Sequence, residues 1–312
     1  MENNLQQYKK TIYSQWGEDG LIAEIFSRIG ATNKICIEFG AGNGTESSNV
    51  WHLIKDLGWK GFLMEGDSDR FLKWKQLMDE NQNLRVLNIF VHYEGENSLE
   101  NILKKNSIER NLDLLSIDID GDDYYILKSL ETFKPRVIII EHNPTFAPEF
   151  EIVQPQGEAD SFGSSARANV NLAHAQGYKL AAATHGNCIF VIAEEFGKLK
   201  IEEPKLEEIF DRSGLTYLVA SYYGSTFLRN DTNDPSFSYI YEGVSLKLWK
   251  NNLRSLSLMM GLSSKTKYHY AENVPKEFTP VKLLRHYNKN TVGLLGLFVW
   301  LSRHILKKFN KK

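Results

Sequence analysis

Two cysteines in 312 residues are too few for a disulfide framework, and neither Cys36 nor Cys188 has a neighbour at metal-ligand spacing. Both fall in predicted strands and read as buried free thiols, which suits a reducing, cytoplasmic setting. The opening MENNLQQYKK is polar and lacks the apolar segment of a cleavable signal. The apolar run of the tail, residues 292–301, is ten residues long, short of the roughly 20 that a membrane-spanning helix needs. Net charge is only −2, with 42 % hydrophobic and 24 % charged residues. That composition fits an ordinary globular chain with a sizeable core, as one large domain or two small ones.

The small net charge hides an uneven distribution. After Glu277 come eight of the 37 Lys and Arg and none of the 39 acids, which leaves the preceding residues at about −10. An acidic body argues against nucleic acid as a partner, whereas the basic tail asks for an anionic surface. If residues 290–312 are helical, Leu294, Phe298, Leu301, Ile305 and Phe309 form one stripe, with Arg303, Lys307 and Lys308 at its rim. Such a helix lies on an anionic membrane with Trp300 at headgroup level, or packs on the body or a dimer partner.

What is present centres on ICIEFGAGNG, residues 35–44. Continuous apolar character predicts a strand buried on both faces, as in a parallel sheet. It ends on Glu38 and runs into Gly40, Gly42 and Gly44, then a helix predicted over 46–57. Glycines let backbone N–H groups approach a ligand, and a helix N-terminus favours anions. The next strand, GFLME, also ends on an acid, Glu65, which lies 21 residues past Gly44. An acid there accepts hydrogen bonds from the ribose hydroxyls of an adenosine. Thr45 stands where a dinucleotide fingerprint has its third glycine, so an NAD-dependent oxidoreductase is the disfavoured alternative.

The pattern continues with predicted helices at 69–80, 98–105 (capped by Asn97), 122–130 and 165–176, and predicted strands at 84–91, 112–118 and 136–141. Strands at 179–184 and 188–193 flank His185-Gly186-Asn187, a three-residue turn that predicts an antiparallel hairpin. The fold class is therefore α/β: a doubly wound, mostly parallel seven-stranded sheet ending in an antiparallel hairpin, followed by a C-terminal extension read as helical. Before the first strand, YSQWGEDG (13–20) reads either as a helix start or as a lid in which Gln15, Glu18 and Asp19 cover a cofactor. The long loop 143–165 is placed to carry substrate contacts.

Taken together, SQWGEDG, IEFGAGNGTESSN, FLMEGD, SIDIDGDDYYIL and IIIEHNPTFAP resemble the FkbM-type family of S-adenosylmethionine-dependent O-methyltransferases, over about residues 13–195. The chain is most similar to the bacterial branch found near polysaccharide genes, and it departs from many members in its longer SIDIDG motif. The resemblance implies a class I methyltransferase domain, taken as 1–197; beyond it, 198–289 is an extension of unknown role and 290–312 the basic amphipathic helix read from the tail's own pattern. It also implies methyl transfer from S-adenosylmethionine to a hydroxyl, often on a sugar, glycan, or lipid- or nucleotide-linked saccharide. With the tail, that sets the enzyme at the inner membrane face. A non-catalytic module of the same fold is the remaining alternative, disfavoured by intact Glu38, Glu65 and Asp118.

In an open α/β sheet the ligand lies beyond the carboxyl ends of the strands. There Gln15, Glu38, Gly40, Gly42, Gly44 and Asp118 are expected at the donor's amino-acid end, Glu65 at its ribose, and His92 or Tyr93 beside adenine. Asp118 and Asp120 are candidates to face the sulfonium or take the acceptor proton, and His142 is a candidate general base. Asp122 and Asp123 read as first-turn helix residues and His185 as a turn residue. Asp118, Glu141 and Asn143 offer hard oxygen ligands, so a Mg²⁺-assisted site stays open beside the metal-free one.

Overall fold

The computed structural model describes residues 4–40, 46–119, 121–156, 163–220 and 226–230. Seven strands form one sheet: β1 (Ile35–Phe39), β2 (Lys60–Glu65), β3 (Leu84–Asn88), β4 (Leu114–Ile117), β5 (Val137–Glu141), β6 (Tyr178–Ala183) and β7 (Asn187–Ile192). Their spatial order is β3-β2-β1-β4-β5-β7-β6, with the first five parallel and β7 antiparallel to both β5 and β6. The expected seven-stranded plan and its terminal hairpin are therefore present. The chain winds outward from β1 to β3, then returns to place β4 on the other side of β1. A topological switch point between β1 and β4 results.

Period-two alternation explains why the strands read as continuous apolar runs. Ile37, Phe39, Phe62, Met64, Leu115, Ile117, Ile138 and Ile140 enter the core on one face of the sheet. Cys36, Leu63, Leu114, Val137, Ile139, Ile189 and Val191 enter the core on the other. Helices cover both faces: α1 (Glu18–Ile29), α2 (Trp51–Lys55), α3 (Ser68–Glu80), α4 (Leu99–Lys105), α5 (Asp123–Ser129), α6 (Ala166–Ala175), and the short α7 (Ala193–Phe196) and α8 (Leu206–Ile209). Leu206, Ile209, Phe210 and Leu215 belong to the same core as Ile138 and Ile140, so this part of the 198–289 extension packs with the sheet. An antiparallel pair, Thr216–Ala220 with Thr226–Asn230, follows.

Several boundaries differ from the sequence reading. The helix after β1 starts at Trp51 rather than at 46, because Ser47 sits at φ +71 and residues 46–50 form a turn. β3 ends at Asn88, three residues early, where the chain leaves the sheet edge. Ser98, not Asn97, caps α4, its Oγ accepting from the N–H of Asn101. The predicted 290–312 helix lies outside the described residues. Among the described residues no helix is long and apolar enough to cross a membrane.

Candidate active site

The carboxyl end of β1 is shaped by Gly40, at φ +72. A Cβ built there would fall 1.6 Å from the carbonyl oxygen of Asp118, so only glycine lets the β1 and β4 ends approach this closely. Gly42, Gly44 and Asp120 lie outside the described residues. Glu38 is buried, and both its carboxylate oxygens are engaged: Ser48 Oγ donates at 2.6 Å and the Asn49 N–H at 2.8 Å. Asn49 in turn donates from Nδ2 to Ser116 Oγ at 3.1 Å. Burial pushes the Glu38 carboxyl up to about 7, against hydrogen bonds from Ser48, Asn49 and Ser116 that pull it down. Glu38 thus ties residues 48 and 49, which follow the glycine turn, to β1, and Asn49 links them to β4.

Glu65 behaves differently. It too is buried, at 4 % exposure, and its Oε1 accepts from the Asp67 N–H at 2.8 Å. Its Oε2 is buried with no hydrogen-bond partner. Asp67 meanwhile caps α3 through the N–H groups of Asp69 and Arg70. The Phe90 ring, one of the most exposed large apolar side chains, lies over Gly66, where any Cβ would strike it.

The acid run after β4 divides its labour. Asp123, the buried member, accepts from the N–H groups of Ile119 and Gly121, both at 2.9 Å, and so folds the loop back on itself. Asp122 occupies the N-cap position of α5, yet its side chain makes no cap hydrogen bond, and Oδ1 is buried without a partner. Burial raises its carboxyl above the usual range, with His92 acting in the opposite direction. Tyr93, Tyr124 and Tyr125 stand as successive ring pairs 5.5 and 5.4 Å apart, and Tyr125 donates to the Gln154 carbonyl at 2.7 Å. Asp122 therefore joins the candidate residues, where the sequence pointed only to a helix start. Its signal lay in having two acids where one suffices to begin a helix.

The segment 13–20 is neither a simple helix cap nor a lid of three polar residues. Asp19 Oδ2 accepts from the N–H groups of Ile12, Tyr13 and Ser14 and from Ser14 Oγ, each at 2.8 Å. Glu18 accepts from Thr184 Oγ1 at 2.6 Å, Asn187 Nδ2 at 3.0 Å and the Trp16 N–H at 2.9 Å. Both acids are buried braces. Gln15 alone stays at the surface, donating from Nε2 to Ser47 Oγ at 2.9 Å just past the glycine turn.

At the end of β5 the expected catalytic and metal-binding groups are drawn apart. His142 is 1 % exposed, its ring lies 5.4 Å from that of Phe210, and neither ring nitrogen has a hydrogen-bond partner. Burial lowers its pKa to about 4, so at neutral pH it is an uncharged core side chain, poorly placed to serve as a base. Asn143 Oδ1 is turned onto its own loop, accepting from the N–H of Thr145 at 2.9 Å and from Thr145 Oγ1 at 2.5 Å. Among the described residues no group of three His, Cys, Asp or Glu converges as metal ligands, so a Mg²⁺ site on Asp118, Glu141 and Asn143 is not supported. Asp118 remains half-buried at the β4 end, against the Gly40 turn.

No protein-family model and no curated protein matches the chain. Solved structures do. The glycopeptide N-methyltransferase MtfA complexed with S-adenosylhomocysteine is similar at 12 % identity and TM-score 0.36, over 60 % of this chain and 95 % of that one. An S-adenosylmethionine-dependent methyltransferase from Clostridium acetobutylicum is similar at 8 % identity and TM-score 0.37, over 57 % and 92 %. The citrinin polyketide synthase CMeT domain structure is similar at 10 % identity and TM-score 0.38, over 56 % of this chain and about half, 51 %, of that one.

Proposed function

We propose that the chain binds S-adenosylmethionine across the ends of β2, β1 and β4 and transfers its methyl group to a hydroxyl of a saccharide-type acceptor. The observation that carries this reading is the buried, unpartnered Oε2 of Glu65, beside a β1 turn whose Gly40 admits no side chain. A buried acceptor without a donor is costly, and a ribose diol supplies the donor that it lacks. Asp122 Oδ1 offers a second idle acceptor to the amino group of a purine, with Tyr93 and Tyr125 alongside. Asp118 stands at the β4 end, and in this reading it and Asp120, the candidate that follows it in sequence, serve the cationic centre. The bound donor supplies an activated methyl group, so the chain's own task is orientation, exclusion of water and acceptance of one proton.

The preference for a hydroxyl on a sugar, glycan, or lipid- or nucleotide-linked saccharide follows the resemblance of the five motifs to FkbM-type enzymes. Docking on an anionic membrane at the cytoplasmic face follows the charge asymmetry of the tail. Deleting residues 290–312 should abolish salt-sensitive flotation with anionic liposomes; equal flotation of the truncated chain would refute the docking role.

Calorimetry tests the donor. S-adenosylhomocysteine should bind and NAD should not. Binding of NAD with no response to S-adenosylhomocysteine would overturn the assignment in favour of an oxidoreductase.

A further inference from the structure

The turn between β6 and β7 holds a side-chain cluster that the donor reading leaves unused. His185 Nδ1 lies 3.0 Å from Asp211 Oδ2. Asp211 is itself oriented, its Oδ1 accepting from the Ser213 N–H at 2.9 Å. The Trp16 ring lies tilted against the His185 ring with centroids 5.5 Å apart, and it fills the space where Gly186 lacks a side chain. The His142 N–H donates to the Gly186 carbonyl at 2.7 Å, fixing the turn to the end of β5. Both His185, at 27 % side-chain exposure, and Trp16, at 37 %, keep an open face.

The topology places this cluster relative to the donor. β6 runs parallel to β5, so its turn into β7 emerges at the same end of the sheet as Glu38, Glu65 and Asp118. Along the sheet the order is β1, β4, β5, β7, so the turn lies about three strand spacings, roughly 14 Å, from the glycine turn. Gln15 reaches Ser47 on the near side while its neighbour Trp16 covers His185 on the far side.

Resting on the methyltransferase reading above, we infer that His185 is the base of the transfer and Asp211 its positioning residue. Asp211 holds the proton of His185 on Nδ1, which leaves the Nε2 lone pair for the acceptor hydroxyl. As the new oxygen–carbon bond forms, the carbon–sulfur bond breaks and its electron pair stays on sulfur as the thioether. The hydroxyl proton passes to His185 Nε2. The charged and titratable groups that interact with the ring are Asp211 from the turn after α8 and His142 from the end of β5; Lys9 from the N-terminal segment interacts with Asp211 and with Glu18, which bonds to Thr184 beside the turn. Of these, His142 is buried neutral behind the turn and Glu18 is spent on Thr184 and Asn187. Burial acts to raise the Asp211 carboxyl, but hydrogen bonds from Ser213 and His185 hold it below the usual range, so it stays an anion.

The full chain labelled with ¹⁵N-histidine tests this without an identified acceptor, the His185→Gln variant identifying the resonance. S-adenosylmethionine carries a positive charge at sulfur that S-adenosylhomocysteine lacks. If His185 faces the reacting centre, it should titrate about 0.5 pH unit or more lower in the first complex than in the second. Equal midpoints in the two complexes would overturn the role of His185 while leaving donor binding intact. Failure of both ligands to bind, read by calorimetry, would overturn the donor reading and this one together. For the positioning role, the neutral ring should carry its proton on Nδ1 in the native chain and shift toward Nε2–H in Asp211→Asn. An unchanged tautomer would remove Asp211 from the proposal.

Discussion

The two ends of the sheet use buried acids in opposite ways. At the amino end Asp113, fully buried, accepts from the N–H groups of Thr32, Asn33 and Lys34 at 2.7–3.1 Å and pairs with Arg136 at 2.6 Å. Arg136 is satisfied in turn by Glu195 and by the carbonyls of Gly30 and Ile29. At the carboxyl end Glu65 is buried and Asp122 half-buried, yet each keeps a buried oxygen with no donor. Asp19 keeps one too, but its other oxygen carries four hydrogen bonds. A saturated buried carboxylate is structure. An idle buried oxygen at the carboxyl end is what the proposed donor would pair.

That contrast is open to experiment. Asp113→Ala should have the largest effect on stability, about 3–5 kcal/mol in urea unfolding, because it leaves three backbone donors without an acceptor and removes one of the two carboxylates that pair with Arg136. If the amino end is purely structural, the fraction that remains folded should bind S-adenosylhomocysteine as before. Gly40→Ala should reverse the emphasis. Its strain is of order 1–3 kcal/mol, but it displaces the Asp118 carbonyl, so ligand affinity should fall more than the melting temperature does.

Glu65→Gln separates the two uses of an acid most cleanly. Affinity for S-adenosylhomocysteine should drop about ten- to hundredfold, the value of a charged hydrogen bond. Stability of the free chain should hold or rise, because a buried carboxyl group is replaced by an uncharged amide of the same shape. A loss of stability with affinity unchanged would place Glu65 among the braces.

The smallest effect is a pair of opposed pH dependences. Glu38 titrates near 7 in the fold against an ordinary 4.5, so the native chain holds the extra proton and stability falls as pH rises through that window. His142 titrates near 4 against 6.5, so the unfolded chain holds the extra proton and stability is lost as pH falls from 6.5 towards 4. In the native chain the two slopes offset each other where they overlap. Glu38→Gln should expose the histidine slope, with urea midpoints rising with pH between about 4 and 6.5; a flat profile in that variant would contradict the buried neutral His142.

Much of the scaffold was legible in the residues themselves. Continuous apolar runs at β1, β4 and β5 announce strands covered on both faces, and the Gly-containing turn at 185–187 announces the antiparallel pair. The edge was harder to read. Ile89 and Val91 look like strand but lie beyond the last pairing of β3 with β2, and an edge has a neighbour on one side only. Glu38 and Glu65 were identifiable as strand-end acids. That one is tied to Ser48 and Asn49 while the other is idle depends on residues brought there by folding.

The sequence by itself determined the α/β alternation, the glycine at Gly40 and which acids end which strands, because these depend on local periodicity and on spacing along the chain. Only the tertiary structure decided what each polar side chain does. His142 and His185 are 43 positions apart in the chain, and the Gly186 carbonyl links their backbones. Phe210 buries the first against the core, and Asp211, the next residue, holds the second at the rim. Burial and partnership are properties of three-dimensional neighbours, and they alone separate an imidazole enclosed by the core from one held by a carboxylate at the rim.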